Sequence, residues 1–480
     1  QSGNNNDFQH NNLEHTDVVL DNPTNNFATF SPIDSRVASG FSQTFAEGNL
    51  QVGAASGSHK QGVRSTIGTK TMNFYYELCS KTAGTTNYNI GVATSSAVVS
   101  STSNDGIYHK NQNSGSSGDI IMVAYSADAN AMWTGRNGTW DNSATVSEIE
   151  AGTTTNATQT SIDSTEHIHA MYLDQASSYS GTVVANFGQD GTFAGNKVSQ
   201  GNSDDNGIGD FFYAPPSGYF ALCTDNLPNP GIDPNAGETP DEYFNTVLYT
   251  GNQSVRTITG VGFQPDWVWA KRRSGTAESH IWVDSVRGAT KTLKSNSTNA
   301  EGTNADGITG FDADGFDLGT SVEPNTNNAT YVAWNWKAGG TASSNTDGTI
   351  TTSVSASPES GFSVFTYTGT GNADSVGHGL GITPKLVIYK NRDSSSGFLV
   401  LTTGIDGTTD YVTLNATDAK SDLASYSITS SVVNFGGAST AVNKSSDEHV
   451  AYAFAEIEGY SKIGVYEGNA NANGTFVYTG

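Results

Sequence analysis

The chain has 480 residues, of which 14% are charged and 10% are aromatic, with 54 glycines and abundant Ser, Thr and Asn. The aromatic content excludes a disordered chain, and the length predicts roughly two to four domains. The net charge of −25 argues against nucleic acid and anionic membranes as partners. No apolar run reaches the roughly 18 residues that a membrane span needs.

Small polar residues combined with aromatic ones are typical of short strands joined by tight turns. We therefore predict an all-β fold of tandem antiparallel β-sandwich modules, jelly-roll or concanavalin-like, with few short helices. Cys79 and Cys223 lie in the apolar runs FYYELCS and YFALCT. They predict two buried thiols, with one disulfide as the alternative.

In chain order, residues 1–30 are Asn-rich and predict an extended lead-in. Residues 31–226 contain short apolar runs separated by turns such as Asn137-Gly138, which predict one β-sandwich. Residues 227–242 are rich in proline and predict a linker.

An internal repeat follows. We predict sandwich repeat 1 at 243–340, a Gly/Ser/Thr-rich linker at 341–360, sandwich repeat 2 at 361–460 and the start of a third repeat at 461–480. The matching segments are Tyr249-Thr250-Gly251 with Tyr367-Thr368-Gly369, WVWAK with LVIYK, and YVAW with HVAY. Both chain ends look cut, so we expect a longer polypeptide.

Four tryptophans stand at alternating positions of repeat 1, where they could stack on sugars. Their counterparts in repeat 2 are apolar or aromatic and mostly smaller, which favours core positions instead. The four pairs are Trp267 with Leu386, Trp269 with Ile388, Trp334 with Tyr452 and Trp336 with Phe454. Lys271 and Arg273 recur as Lys390 and Arg392, which indicates a role in the fold such as a salt bridge near the strand end.

Several segments resemble a SPRY-like module and the repeats that follow it in large structural proteins of marine bacteriophages. In the first part these are TNNFATFSP, EGNL, GVRSTI, FYYEL, NIGVA, MWTGRNGTW, VANFGQ and FFYAPPSGYFALCTDNLP. In the repeats they are GFQPDWVWAKRR, VDSVRGATKTLKSN, DADGFDLG, YVAWNWKAGG and VGHGLGITPKLVIYKNR. The resemblance covers nearly the whole chain and implies a tail fibre or another virion surface component.

One ligand site is predicted at the Asn-Gly hairpin. In SPRY-like modules the binding surface lies on loops at one edge of the sandwich, which makes Trp133, Arg136, Asn137 and Trp140 candidate ligand contacts. The structural alternative is an ordinary hairpin, for which Asn-Gly is a strong indicator.

Two metal sites are predicted besides. Asp312, Asp314 and Asp317 alternate around a glycine and resemble a calcium loop, although Asp-Gly alone also makes a turn. His167 and His169 are expected on one strand face and would bind a metal on the axis of a trimer, although the segment also fits an ordinary strand. No cofactor is predicted, with calcium at the aspartate loop as the alternative.

The leading hypothesis is a non-enzymatic tail fibre or receptor-binding component on the virion surface. Its partners would be other virion proteins, its own copies in a homotrimer, and a host cell-surface glycan or protein. The alternatives are a capsid decoration protein without a ligand, a polysaccharide depolymerase and a bacterial surface adhesin. No motif of a hydrolase, zinc protease or P-loop enzyme is present, while paired carboxylates of the glycosidase type stay open.

Overall fold

The structure is a computed structural model. It describes residues 19–466 except 23, 35–42, 54–60, 82–87, 98, 100–105, 113–115, 164, 175–181 and 235–236, together with 468 and 477. The described residues form mainly antiparallel sheets, with short α-helices at Val146–Glu150 and Val322–Asn325, so the all-β prediction is confirmed. None of the helices in these ranges has the length and apolar character that a membrane crossing requires. The chain forms two compact units, one ending at Pro228 and one running from Asn229 to Tyr466.

The first unit is a sandwich of two sheets. Its described strands are β1 (Thr44–Ala46), β2 (Gln51–Gly53), β3 (Gln61–Thr69), β4 (Phe74–Ser80), β5 (Tyr88–Thr94), β6 (Ile107–Gln112), β7 (Ile120–Ser126), β8 (Ala131–Arg136), β9 (Thr139–Trp140), β10 (Gln159–Thr160), β11 (Ile168–Asp174), β12 (Thr182–Asn186) and β13 (Phe220–Ala221). The larger sheet has the order β1-β2-β12-β4-β7-β8-β10, with β9 on β8 and β13 on β4. The smaller sheet has the order β3-β11-β5-β6.

The central strands β4 and β7 are apolar apart from Glu77, Ser80 and Ser126, and every one of their residues is buried. One face, with Tyr76 and Val123, packs in the core shared with the smaller sheet. The other face, with Tyr75 and Met122, lies under irregular segments that include Phe211. Burial on both faces explains why these strands are continuous apolar runs rather than alternating ones.

The C-terminal end of the predicted extended lead-in packs into the first unit. Residues 1–18 lie outside the described residues, but Phe27, Ala28 and Phe30 are buried in the first unit. Phe27 forms a β-bridge with Cys223, a pairing over almost 200 residues that local sequence does not reveal. Both cysteines are free and buried, as predicted, and burial raises the pKa of each thiol.

The second unit contains two sandwiches in sequence. The strands of repeat 1 are β14 (Phe244–Thr250), β15 (Arg256–Ile258), β16 (Trp267–Arg272), β17 (Ile281–Asp284), β18 (Lys291–Lys294), β19 (Gly302–Thr303), β20 (Ile308–Asp312), β21 (Gly315–Leu318) and β22 (Thr330–Trp336). Those of repeat 2 are β23 (Ser343–Asn345), β24 (Thr352–Ser357), β25 (Phe362–Thr368), β26 (Ser375–Gly377), β27 (Leu386–Asn391), β28 (Leu399–Thr402), β29 (Asp410–Thr413), β30 (Ser421–Asp422), β31 (Ser427–Ile428), β32 (Val432–Asn434) and β33 (Glu448–Phe454).

The two repeats have the same topology. The large sheet of repeat 1 has the order β14-β22-β16-β17-β18-β19, and that of repeat 2 has the order β23-β24-β25-β33-β27-β28-β29-β30. Without β23 and β24 the orders correspond strand for strand. The small sheets, β15-β21-β20 and β26-β32-β31, correspond in the same way. Each repeat encloses its own core between its two sheets.

The repeated Tyr-Thr-Gly motif has a packing explanation. A Cβ on Gly251 would come within 2.2 Å of the Thr326 carbonyl oxygen, and one on Gly369 within 2.3 Å of the Lys444 carbonyl oxygen. Only glycine permits this approach of two backbone segments. The preceding tyrosine, Tyr249 or Tyr367, is buried in the core of its repeat.

The segment predicted as a second linker, 341–360, contains strands instead. β24 pairs with β25, and β23 pairs with β24, so both extend the large sheet of repeat 2. Their small polar residues resemble linker composition, and only the neighbouring strand makes them part of a sheet. The Pro-rich segment 227–242 holds no strand in its described part and ends in a 3-10 turn at Pro240–Glu242. Most of 461–480, the predicted third repeat, lies outside the described residues.

Candidate functional site at the contact between the repeats

The outer faces of the two large sheets in the second unit pack against each other. Trp267 lies at the centre of this contact and is 1% exposed. Its ring centroid is 4.7 Å from that of Tyr452 and 5.8 Å from that of Phe362. Trp282 lies 5.0 Å from Phe398 between ring centroids. The repeats therefore share a second, aromatic core, in addition to the core that each encloses by itself.

Equivalent strand positions form both sides of this contact. Trp267 lies opposite Trp336 in the sheet of repeat 1, and Leu386 lies opposite Phe454 in the sheet of repeat 2. Both repeats thus contribute the outer face of their large sheet, with the larger side chains on repeat 1.

The prediction that the alternating tryptophans are core residues is confirmed for Trp267, while Trp269, Trp334 and Trp336 are partly buried. What sequence reasoning missed is which core they belong to. Trp267 and Trp282 lie in the contact between the repeats, with Trp269 and Trp336 packed at its margin. The alternation in the sequence indicates one common face but contains no information on what covers it.

A buried ionic network crosses the same contact. The side chain of Arg287 is fully buried, with Nε 2.6 Å from Asp284 Oδ2 and Nη1 2.9 Å from Glu301 Oε2. Tyr452 of repeat 2 donates its hydroxyl hydrogen to Asp284 Oδ2 at 2.7 Å. Although burial by itself lowers the pKa of Arg287, the Asp284 carboxylate raises it above its usual value. The guanidinium therefore stays charged.

The network continues to the surface through Arg392 of repeat 2. Its Nε and Nη2 bind the two carboxylate oxygens of Glu301 at 2.8 and 3.1 Å, a bidentate pair that joins the repeats. Arg392 also pairs with Glu448. Burial alone would raise the pKa of Glu301, but its bonds to Arg392 and Arg287 lower it. Arg392 thus forms the kind of salt bridge near a strand end that is predicted for the recurring pair, whereas its counterpart Arg273 is exposed.

Lys390 is a buried cation at the margin of this contact. Its Nζ donates to the carbonyl oxygens of Thr298, in repeat 1, at 3.1 Å and of Ser396 at 2.8 Å. These acceptors are uncharged, and burial lowers the pKa of Lys390 to about 8. The equivalent Lys271 donates to the carbonyl of Glu278.

The residues of the predicted hairpin site are divided between surface and interior. Trp133 is fully buried beneath Tyr219, so it is not a surface contact for a ligand. Arg136 is partly exposed and donates to Gln112 at 2.7 Å. Asn137 has a φ of 49°, accepts from the Ile120 N–H at 2.9 Å and donates to Asp119 at 2.8 Å.

Trp140 is partly buried, with its ring centroid 6.5 Å from that of Tyr75. Arg136 and Asn137 are therefore neighbours around Asp119, whose carboxylate lies 3.9 Å from Arg136. This polar end of the β8–β9 hairpin is the part of the predicted ligand site that the structure brings together.

Two of the three aspartates of the predicted calcium loop bond to β15 and to the loop that follows it. Asp314 accepts from the N–H groups of Gly260 at 3.0 Å and Gly262 at 2.7 Å, and these bonds lower its pKa. Asp317 accepts from the Thr257 hydroxyl at 2.6 Å, while Asp312 is exposed. In the described part of the chain, the group of three acidic side chains close enough for one ion lies elsewhere, at Asp406, Asp410 and Asp422.

The predicted histidine pair lies inside the first unit. His167 is 5% exposed and His169 1% exposed. The Nδ1 atom of His169 is 2.9 Å from the Ser65 carbonyl oxygen, and its ring packs over Gly68. A metal shared on a trimer axis needs side chains on the surface, so burial argues against that arrangement.

Comparisons with known proteins supply a family match without an activity. A family model described as "Domain of unknown function (DUF7483)" matches residues 239–480. The search of curated proteins found no match. Among solved structures, the SPRY domain of human HERC1 is 11% identical with a TM-score of 0.23, and the alignment covers 32% of this chain and 96% of that domain. That score is too low to carry an argument.

Proposed function

Since the chain belongs through residues 239–480 to the family described as domain of unknown function (DUF7483), we propose its function from its own geometry: a non-enzymatic structural protein of a virion surface. In this proposal the paired repeats are a rigid spacer in a tail fibre or receptor-binding component. Its position would be extracellular, on the outside of the particle.

The observation that carries this proposal is the contact between the repeats. Domains joined only by a linker move relative to each other, whereas a large apolar contact holds them in one arrangement. Trp267 and Tyr452 are fully buried in this contact, and the bidentate pair of Glu301 with Arg392 adds a directional constraint beside them. Two repeats held rigidly in this way can act as a spacer of fixed length that transmits force. This arrangement favours a structural role over catalysis.

The phage assignment has a separate support, namely the resemblance of the sequence segments to structural proteins of marine bacteriophages. Attachment to a host glycan or protein would use loops at the ends of the sandwiches, of which the end around Arg136 and Asn137 is the candidate. A homotrimer with its own copies, and contacts with other virion proteins, belong to the same proposal.

Localisation in the particle tests the proposal. We expect gold-labelled antibodies against the purified chain to mark the tail of intact virions. Label on the capsid shell would favour the decoration protein instead. Absence of the chain from purified particles, or release of reducing ends from host polysaccharide by the purified chain, would overturn the proposal.

Host attachment is tested with variants. We expect the purified chain to bind host cells and the double variant Arg136→Ala with Asn137→Ala to bind at least about tenfold more weakly, as expected when a charged contact is lost. Arg273→Ala is the matched control, because Arg273 is an exposed arginine of repeat 1. Equal binding by all three proteins would remove the hairpin from the attachment surface.

A further inference from the structure

Three aspartates of repeat 2 converge on one lysine at the end of the large sheet. Asp406 lies in the loop after β28, Asp410 begins β29 and Asp422 ends β30. Lys420 Nζ lies 2.5 Å from Asp406 Oδ2, 3.0 Å from Asp410 Oδ1 and 2.9 Å from Asp422 Oδ1. Carboxylate oxygens of the three aspartates all lie within 4.8 Å of one another. One ammonium therefore faces three carboxylates, which leaves an excess of negative charge.

The position of Asp410 makes this excess costly. Asp410 and Asp422 are directly opposite each other on neighbouring strands, an arrangement that is destabilising for like charges. The Asp410 side chain is fully buried, and its Oδ2 atom has no hydrogen-bond partner among the described residues. A buried carboxylate oxygen without a donor needs a cation or a proton.

Repeat 1 shows that the fold does not require these acids. The cross-strand pair equivalent to Asp410 and Asp422 is Lys291 with Thr303, joined by a hydrogen bond of 3.1 Å. A basic residue of repeat 1, Lys291, thus corresponds to the buried acid Asp410 of repeat 2.

We propose that Asp406, Asp410 and Asp422 bind a hard divalent cation of the calcium type, which displaces the Lys420 ammonium from the centre of the group. Lys420 is a partly exposed side chain at the surface and can extend into solvent. Calcium takes six to eight oxygen ligands at about 2.3–2.6 Å, with water completing the shell. Three carboxylates on a surface loop and two strand ends suit that flexible coordination.

The bound cation would connect parts of repeat 2 that are otherwise joined weakly. β30 pairs with β29 through only two residue pairs, and Asp406 belongs to the loop that precedes β29. A cation held by all three elements would fasten the outer edge of the large sheet. The site lies apart from the predicted loop at Asp312, which belongs to repeat 1.

Calcium titration of the full chain tests the proposal. After removal of metals with a chelator, isothermal titration with calcium chloride is expected to show one site with a Kd of about 0.1–1 mM, the range of extracellular modules. Thermal unfolding should shift to higher temperature in calcium relative to chelator. Absence of both effects at about 10 mM calcium, ten times that range, would overturn the proposal.

Variants locate the site. Asp406→Asn and Asp422→Asn change exposed carboxylates and should each weaken binding at least about tenfold without unfolding the chain. Lys420→Met removes the competing ammonium and should tighten binding by about tenfold or more. Asp312→Asn, an exposed aspartate of repeat 1, is the control and should bind like the wild type. Unchanged binding in Asp406→Asn and Asp422→Asn, or weaker binding in Lys420→Met, would contradict the assignment.

Discussion

Repeat 1 and repeat 2 share the same strand topology but differ in the residues on their surfaces. Their strands occur in the same order, and each has its own core between its two sheets. On the shared contact, repeat 1 contributes Trp267 where repeat 2 contributes Leu386, and at the strand end Lys291 corresponds to Asp410. The inner faces of both repeats are apolar, whereas the outer faces and strand ends differ in side-chain size and charge. Where equivalent residues exist, a variant of one repeat can therefore be compared with the equivalent variant of the other.

The largest effect is expected from Trp267→Ala. The ring fills the centre of the contact between the repeats, and removal of a fully buried Trp side chain typically costs about 3–5 kcal/mol. Thermal unfolding followed by circular dichroism should show a lower Tm for the second unit. Leu386→Ala, the equivalent change on repeat 2, should cost clearly less because Leu386 is partly buried. Equal destabilisation by Trp267→Ala and Leu386→Ala would contradict the view that repeat 1 supplies the larger side chain at this position of the contact.

A somewhat smaller effect is expected from Arg287→Met. Loss of the guanidinium leaves Asp284 buried and without its cation, which costs about 3–4 kcal/mol. Urea unfolding measures the loss, and Tyr452→Phe, which removes one hydrogen bond to Asp284 and one from Arg287, should cost about 1.5–3 kcal/mol.

The double variant Arg287→Met with Tyr452→Phe tests the coupling between the repeats. Because both side chains contact Asp284, its destabilisation should differ from the sum of the single losses by about 0.5 kcal/mol or more. If the two single losses of stability simply add, Tyr452 is not energetically coupled to the ionic network.

An effect confined to alkaline pH is expected from Lys390. Burial lowers its pKa from 10.5 to about 8 in the folded chain. Between these values the unfolded chain holds a proton that the folded chain has released, so stability rises with pH by at most about 3 kcal/mol. Urea unfolding of the wild type minus that of Lys390→Met, measured from pH 8 to 10, should show this rise.

Lys271→Met is the control for Lys390, since it removes the equivalent but partly exposed lysine of repeat 1. The comparison isolates the effect of burial from the loss of a long side chain. A flat difference between wild type and Lys390→Met would mean that the carbonyl acceptors of Lys390 keep it protonated throughout.

By itself the sequence determined the elements and their repetition. Dense aromatic and β-branched runs require strands that are buried on at least one face, as in β4 and β7, and Gly251 and Gly369 mark an approach that only glycine allows. The free buried thiols Cys79 and Cys223 also follow from their apolar surroundings. These features depend on neighbours in the chain or on side-chain chemistry alone.

The tertiary structure decided which surface meets which. Alternation places Trp267 and Trp269 on one face, but only the folded chain shows that the large sheet of repeat 2 covers it. The Ser- and Thr-rich β24 is a strand because β25 lies beside it. Lys390 can be buried because a carbonyl oxygen in a loop of repeat 1 accepts a hydrogen bond from its ammonium. The physical reason is common to all three: burial and electrostatic environment depend on partners that are distant in sequence, and a local pattern contains no record of them.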